Sequence, residues 1–188
     1  MAARFPRFIA ECLGDFAKRI GKRFREELEV VVYWGPSRVG KSRRARWEAE
    51  SQGIDPYALQ ANPGHPLWWY DYHVHEYVII DDIGPGWFDP RATILNVETL
   101  LQLLDPYPRV IPTKGHHTYL CCKRIVITSN CEPTDWFRKC GITPEHLRAV
   151  YNRFTIVEKM TEIWTPPEYM NGVVGWYCFR AFTLLPVL

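Results

Sequence analysis

The run "VVYWGPSRVGKSRRARW", from Val31 to Trp47, constrains this chain more than any other stretch. It opens on β-branched and aromatic residues and turns through Gly35, Pro36, Ser37, Arg38, Val39, Gly40, Lys41 and Ser42. A Gly-x-x-x-x-Gly-Lys-Ser pattern between a strand and a helix is what a phosphate-binding loop requires. Such a loop turns backbone N–H groups onto a β-phosphate, and the helix behind it adds the positive end of its dipole. The eight residues Gly35 to Ser42 are therefore candidate contacts for ATP. Lys41 is expected to reach the β- and γ-phosphates, and the Ser42 hydroxyl to join the shell of a Mg²⁺ ion.

A loop of this kind sits at the end of a buried parallel strand, so further buried strands are expected. "LEVVVYW" (Leu28–Trp34) has the apolar character of a strand covered on both faces, "EYVIIDD" (Glu76–Asp82) reads as a second buried strand, "KRIVITSN" (Lys123–Asn130) as a third apolar strand and "FTIVEKM" (Phe154–Met160) as a fourth strand. Helices are expected at "SRRARWEAESQG" (Ser42–Gly53), at "NVETLLQLLDPYP" (Asn96–Pro108), and in "ITPEHLRAVYNRF", with Thr143 as N-cap and Pro144 in the first turn. The proline-rich stretch from Tyr57 to His75 reads as loop, and "GPGWFDP" as a turn. Together these predict an α/β fold, a P-loop NTPase with a central, mostly parallel sheet flanked by helices.

Residues 8–27 place Ile9, Leu13, Phe16, Ile20 and Phe24 at helical steps, which suits a packing or oligomerisation helix. The aromatic stretch after Met160 has no clear period. The chain thus divides into an N-terminal segment (1–27), a core (28–160) and a C-terminal extension (161–188).

Two acids end the second strand. Phosphoryl transfer needs a carboxylate for Mg²⁺ and a group to orient water. Asp81 is assigned to the metal and Asp82 to the water. Asn130 tips the third strand, where an amide can sense the γ-phosphate or hold the attacking water. Arg43, Arg44 and Arg46 follow the loop on its helix and are expected to face solvent or a neighbouring subunit.

Composition narrows the setting. A net charge of +2 is too small to announce a polyanion partner by itself. Aromatic residues make up 14%, with eight Trp, enough to fill a core and spare rings for flat ligands such as bases. The six cysteines show no zinc spacing and read as reduced thiols, which points to an intracellular, non-secreted chain. No run of 18 apolar residues is present, so no membrane span is expected. His73 and His75, with Tyr119 and Lys123, could be cast as a metal-dependent nicking site. No third ligand falls at a useful spacing, so the two histidines read as polar residues on a loop or strand edge.

The ordered set "WGPSRVGKS", "VIIDD", "PTKGHHTYLCCKRIVITSN" and "AVYNRFT" resembles the superfamily 3 helicase domain. More narrowly, it resembles the ATPase domain of replication-initiator (Rep) proteins of circular single-stranded DNA viruses, the circovirus kind above all. "WWYDYHVHEYVIIDD" is similar to the aromatic run those proteins carry before their acidic strand. The resemblance implies an AAA+-type core that assembles as a hexameric ring, holds ATP between neighbours and translocates on single-stranded DNA. It implies a hairpin that points Lys114 into the pore, with His116 and His117 beside it. It implies that Arg153 is an arginine finger given to the neighbouring subunit's γ-phosphate. Other replication proteins are implied partners, and the host nucleus the site of action. Rep proteins also carry an N-terminal nicking domain; residues 1–27 are too few for a domain of ordinary size, so a module without one is expected. A small nucleotide kinase and a non-catalytic Rep-like scaffold are the alternatives. The first would need an arginine-rich lid after the third strand; the second sits poorly with a full set of catalytic residues.

Overall fold

The computed structural model describes residues 25, 27–59, 61, 67–91, 94–113 and 116–167, with isolated positions 12, 15, 16 and 19. The expected helix over 8–27 therefore lies largely outside the described residues, as do Lys114, the His116 side chain and everything after residue 167.

Five strands form one sheet: β1 (Glu29–Trp34), β2 (Tyr57–Leu59), β3 (Tyr77–Ile83), β6 (Arg124–Ser129) and β7 (Ile156–Lys159), in the order β2-β3-β6-β1-β7. Every pairing is parallel. The side chains alternate between the two faces as strand geometry dictates. Val30, Val32, Val78, Ile80, Ile125 and Ile127 face one way; there they meet Leu100, Leu103 and Leu104 of helix α2 (Val97–Leu104), Val150 of helix α3 (Pro144–Tyr151), and Trp136 and Phe137. Val31, Tyr33, Tyr77, Ile79 and Val126 face the other way, onto Ala45 and Ala49 of helix α1 (Lys41–Glu50). This double coverage is why β1, β3 and β6 are apolar at nearly every position, whereas β7, at the sheet edge, alternates half-buried and exposed residues.

Helix starts follow the sequence. The Asn96 side chain accepts from the Thr99 N–H at the head of α2, and the Thr143 side chain accepts from the His146 N–H at the head of α3. Two strands, β4 (Val110–Thr113) and β5 (His116–Tyr119), pair antiparallel as a separate hairpin before β6. One expectation fails locally. Tyr57–Leu59, read as loop, is an edge strand parallel to β3. At three residues it is too short to show a period, and only its pairing with Val78–Ile80 reveals it.

Among the described residues no helix is long and apolar enough to cross a membrane. Cys12, Cys122, Cys131 and Cys140 are free thiols. Burial pushes Cys121 and Cys122 up to about 11.

Candidate nucleotide-binding site

The strand order sets the site. β6 lies between β1, which feeds the phosphate loop, and β3, which carries the acids. Parallel pairing brings all three C-terminal ends to one edge, the place where open α/β sheets bind ligands.

The loop is held by its surroundings. Gly35 has φ of 146°, and a Cβ there would lie 2.0 Å from the Met160 carbonyl oxygen. Gly40 has φ of 91° and lies against the Trp164 backbone. The chain from Met160 to Trp164 thus runs behind the loop. The Met160 N–H donates to the Trp34 carbonyl at 2.7 Å, the Trp164 N–H to the Val39 carbonyl at 2.9 Å, and the Trp164 ring meets that of Trp47. Sequence periodicity gave no sign of this role for residues 160–164.

Lys41 is buried, and its Nζ donates to the carbonyls of Gly35 (2.9 Å) and Pro36 (2.7 Å) and to Asn130 Oδ1 (2.9 Å). Three donors meet three acceptors. Burial lowers its pKa below the ordinary lysine value, while Asp82 and then Asp81 pull it back. The Asn130 amide in turn donates to Asp82 Oδ1. One chain of contacts therefore joins phosphate loop, sensor amide and second acid.

A second chain centres on Asp81. Its Oδ1 accepts from Ser42 Oγ at 2.6 Å and from Thr128 Oγ1 at 2.6 Å. Thr128 Oγ1 also accepts from the Asp82 N–H at 2.9 Å. Adjacent residues on a regular strand point to opposite faces. Here β3 carries an extra residue, its register against β6 shifting between Ile80 and Ile83, and Asp82 takes φ of 55°. The bulge turns both carboxylates to one site. Thr128, 1% exposed, clamps the bulge by touching both acids; sequence reasoning singled out Asn130 and missed it. Ser129 is a structural residue, donating to the Ile83 carbonyl and accepting from Trp136 Nε1.

This cradle suits a nucleotide with its divalent ion. Glycines at positions where a Cβ would clash or strain, a lysine gathered on neutral acceptors, and a serine hydroxyl beside a carboxylate are the donor types that phosphate and Mg²⁺ require. Ser42 and Asp81 would hold the ion, and Lys41 the phosphates.

Arg153 does not join this group. It follows α3, and two residues later the Thr155 N–H donates to the Val30 carbonyl at the start of β1. It therefore lies at the opposite edge of the sheet, roughly 20 Å of strand away. There its guanidinium makes a paired contact with Asp105, Nε to Oδ1 and Nη2 to Oδ2, both at 3.0 Å. His117 is exposed on β5, opposite Pro112. Arg44 does not point outward as expected. It is mostly buried, sits over the Tyr33 ring and donates to Glu48 and Glu158. The pull is Glu48, buried under α1, which also takes bonds from Tyr33, Tyr77 and Arg124. His73 and His75 lie in the loop before β3, the His73 backbone N–H donating to His75 Nδ1 at 3.1 Å. Among the described residues no group of three or more His, Cys, Asp or Glu could hold a metal.

A family model described as RNA helicase matches residues 31–131, which takes in most of β1, the loop, both acids, the hairpin and Asn130. The chain belongs to this RNA helicase family. Its relatives include three replication-associated proteins. That of canary circovirus is 39% identical over 126 residues, covering 66% of this chain and 38% of the relative. That of porcine circovirus 1 is 32% identical over 165 residues, covering 84% and 47%. That of beak and feather disease virus is 34% identical over 132 residues, covering 70% and 38%. The chain spans less than half the length of these relatives. The helicase family and the relatives agree with the resemblance drawn from the motifs, and the parallel sheet with the expected α/β class.

Proposed function

We propose that this chain is the ATP-driven helicase module of a rolling-circle replication initiator, moving on single-stranded DNA. The observation that carries the reading is the Lys41–Asn130–Asp82 chain beside the Ser42–Asp81–Thr128 clamp. A kinase would use the same loop, but the helicase family and the replication-associated relatives favour DNA work.

In this reading the loop amides and Lys41 orient the phosphates, and Lys41 moves from its carbonyl partners to the β- and γ-oxygens. Bound Mg²⁺ supplies charge neutralisation on those oxygens. Ser42 and Asp81 position the ion. Asp82, held by the Asn130 amide, orients the water and accepts its proton. Asn130 touches both Lys41 and Asp82, so a change at the γ-phosphate is felt by both.

Arg153 cannot serve its own loop from the opposite edge. As an arginine finger it acts on a neighbouring copy, which requires a ring, a hexamer by family resemblance. Asp105 then holds the guanidinium pre-formed until the neighbour's nucleotide competes for it. By the family resemblance, Lys114, His116 and His117 would contact the strand of DNA.

Mixing inactive variants tests the shared site. Lys41→Ala and Arg153→Ala are each expected to hydrolyse ATP at least about 10³-fold more slowly. Their mixture is expected to regain activity, because some interfaces then pair an intact loop with an intact finger. A mixture no more active than its components overturns the shared site.

A further inference from the structure

Arg25 lies just before β1 and turns its guanidinium onto the C-terminal end of α2. Its Nη2 donates to the Leu103 carbonyl at 3.1 Å and to the Asp105 carbonyl, and its Nη1 to Cys122 Sγ at 3.3 Å. The Arg25 backbone N–H donates to the Pro106 carbonyl at 2.8 Å. Helix α2 has no basic residue in its own last turn. Its last carbonyls lack intrahelical donors and carry the negative end of the helix dipole. Arg25 brings both the donors and the charge from another segment, and so fixes the chain at Asp105 and Pro106. The Asp105 carboxylate then takes Arg153 Nε and Nη2 as a pair, while Arg153 Nη1 donates to the Ala149 carbonyl at 2.7 Å. Two residues later Thr155 grips the start of β1: its N–H donates to the Val30 carbonyl at 2.7 Å, and its Oγ1 accepts from the Val30 N–H at 3.1 Å. Arg25, Asp105 and Arg153 line one cavity of about 460 Å³, which gives the Arg153 guanidinium room to leave Asp105. Arg25 is 9% exposed, whereas 25% of the Arg153 side chain is exposed, so of the two only Arg153 is placed to reach a neighbour.

We propose that Arg25 is a positioning residue for Arg153, acting through Asp105: it fixes the turn after α2 so that the Asp105 carboxylate presents the Arg153 guanidinium to the neighbouring copy. The inference rests on the shared-site reading above and adds to it a dependence on the segment before β1. A long side chain aimed in advance loses little rotamer freedom when it engages its target. Asp105 supplies that aim, and it is only as fixed as the backbone that carries it. A carboxylate at the C-terminal end of a helix is disfavoured by the dipole, and the two guanidiniums offset this. Without Arg25 the turn loses the donors that hold residues 103, 105 and 106 in place. A displacement of about 1 Å at Asp105 would pass to Arg153, and misplacement on that scale costs as much as about 10²-fold in rate. Movement of the segment that carries Arg25 is thereby passed to hydrolysis on the next subunit.

The test uses the mixture of whole-chain Lys41→Ala and Arg153→Ala, in which the first can give only the guanidinium and the second only the phosphate loop. Arg25→Met, which keeps an apolar stem and removes every side-chain donor, is added to one chain or to the other. In the chain that gives the guanidinium it is expected to lower the kcat of the mixture about 10- to 100-fold, with the KM for ATP unchanged. In the chain that gives the loop it is expected to leave the mixture as active as its parent. Asp105→Asn in the guanidinium-giving chain is expected to cause a loss of the same kind. Arg25→Met and Asp105→Asn together are expected to cost no more than the larger single loss, because both act through one contact. Equal losses in the two placements mark damage to the fold and overturn the proposal. So does a loss confined to the loop-giving chain, or no loss in either. Losses that add show that Arg25 acts by a route other than Asp105 and overturn it as well. A parent mixture that regains no activity overturns the shared-site reading, and this proposal with it.

Discussion

The Lys41 ammonium donates to Asn130 Oδ1 at 2.9 Å, and the same amide donates to Asp82. One side chain at the tip of β6 thus spans the phosphate loop and the second acid. Asn130→Ala removes both links and leaves Lys41 with the Gly35 and Pro36 carbonyls. Steady-state ATP hydrolysis is expected to fall about 10²-fold in kcat with little change in KM, the pattern for a group that acts at the transition state. A rise in KM alone would place Asn130 in binding only.

The bulge at Asp82 gives the two acids different partners, Asp81 the Ser42 and Thr128 hydroxyls and Asp82 the Asn130 amide. Asp81 shares its Oδ1 between Ser42 and Thr128, so Asp81→Asn is expected to raise the Mg²⁺ concentration needed for half-maximal hydrolysis. Asp82→Asn is expected to leave that concentration unchanged and to lower kcat by about 10²–10⁴-fold, the range for a lost general base. Mg²⁺ titrations of the two variants should therefore differ in kind. Thr128→Val keeps the shape but strips both contacts, leaving the Asp82 N–H without its acceptor, at a cost of about 1–3 kcal/mol in thermal unfolding.

Glu48 holds α1 against the sheet. It is 6% exposed and binds Arg44, Arg124, Tyr33 and Tyr77. Burial, then the Glu48 charge, pushes both phenol pKa values well above the ordinary tyrosine value. Glu48→Ala leaves two guanidiniums without this buried partner and is expected to cost about 3–5 kcal/mol in urea unfolding. Glu48→Gln, which keeps the side-chain volume and one acceptor oxygen for a phenol, is expected to cost less. Equal stability of Glu48→Ala and wild type would contradict this account.

His75 gives a pH signature. Burial depresses its pKa below the ordinary 6.5, with the His73 charge adding to the drop and Asp55 opposing it. The folded state therefore prefers neutral His75. That contribution is full above the unfolded pKa and is lost as pH falls through the lower folded value, where Nδ1 can no longer accept from the His73 N–H. His75→Asn keeps an acceptor that does not titrate. Between pH 7 and pH 5 the wild-type melting temperature is expected to fall more steeply than that of His75→Asn. Parallel profiles would show that His75 does not couple to folding.

Much of this was legible because the signals are local. The phosphate loop carries its own glycines and lysine, the buried strands are continuously apolar, and Asn96 and Thr143 announce their helices. What escaped depends on pairing between distant segments. Tyr57–Leu59 is a strand only because β3 lies beside it. Thr128 is a clamp only because a bulge between Ile80 and Ile83 brings Asp82 back to it. Arg44 turns inward because Glu48 and Glu158 converge there from α1 and β7. The role of Met160–Trp164 behind the loop required the fold as well, since an irregular segment has no period to read.

The most direct test measures the release of inorganic phosphate from ATP with Mg²⁺, with and without single-stranded DNA, for wild type and Lys41→Ala. The account predicts hydrolysis by wild type that rises with DNA and is lost in Lys41→Ala. Hydrolysis indifferent to DNA, or phosphate passed to a nucleoside monophosphate instead of water, would contradict it.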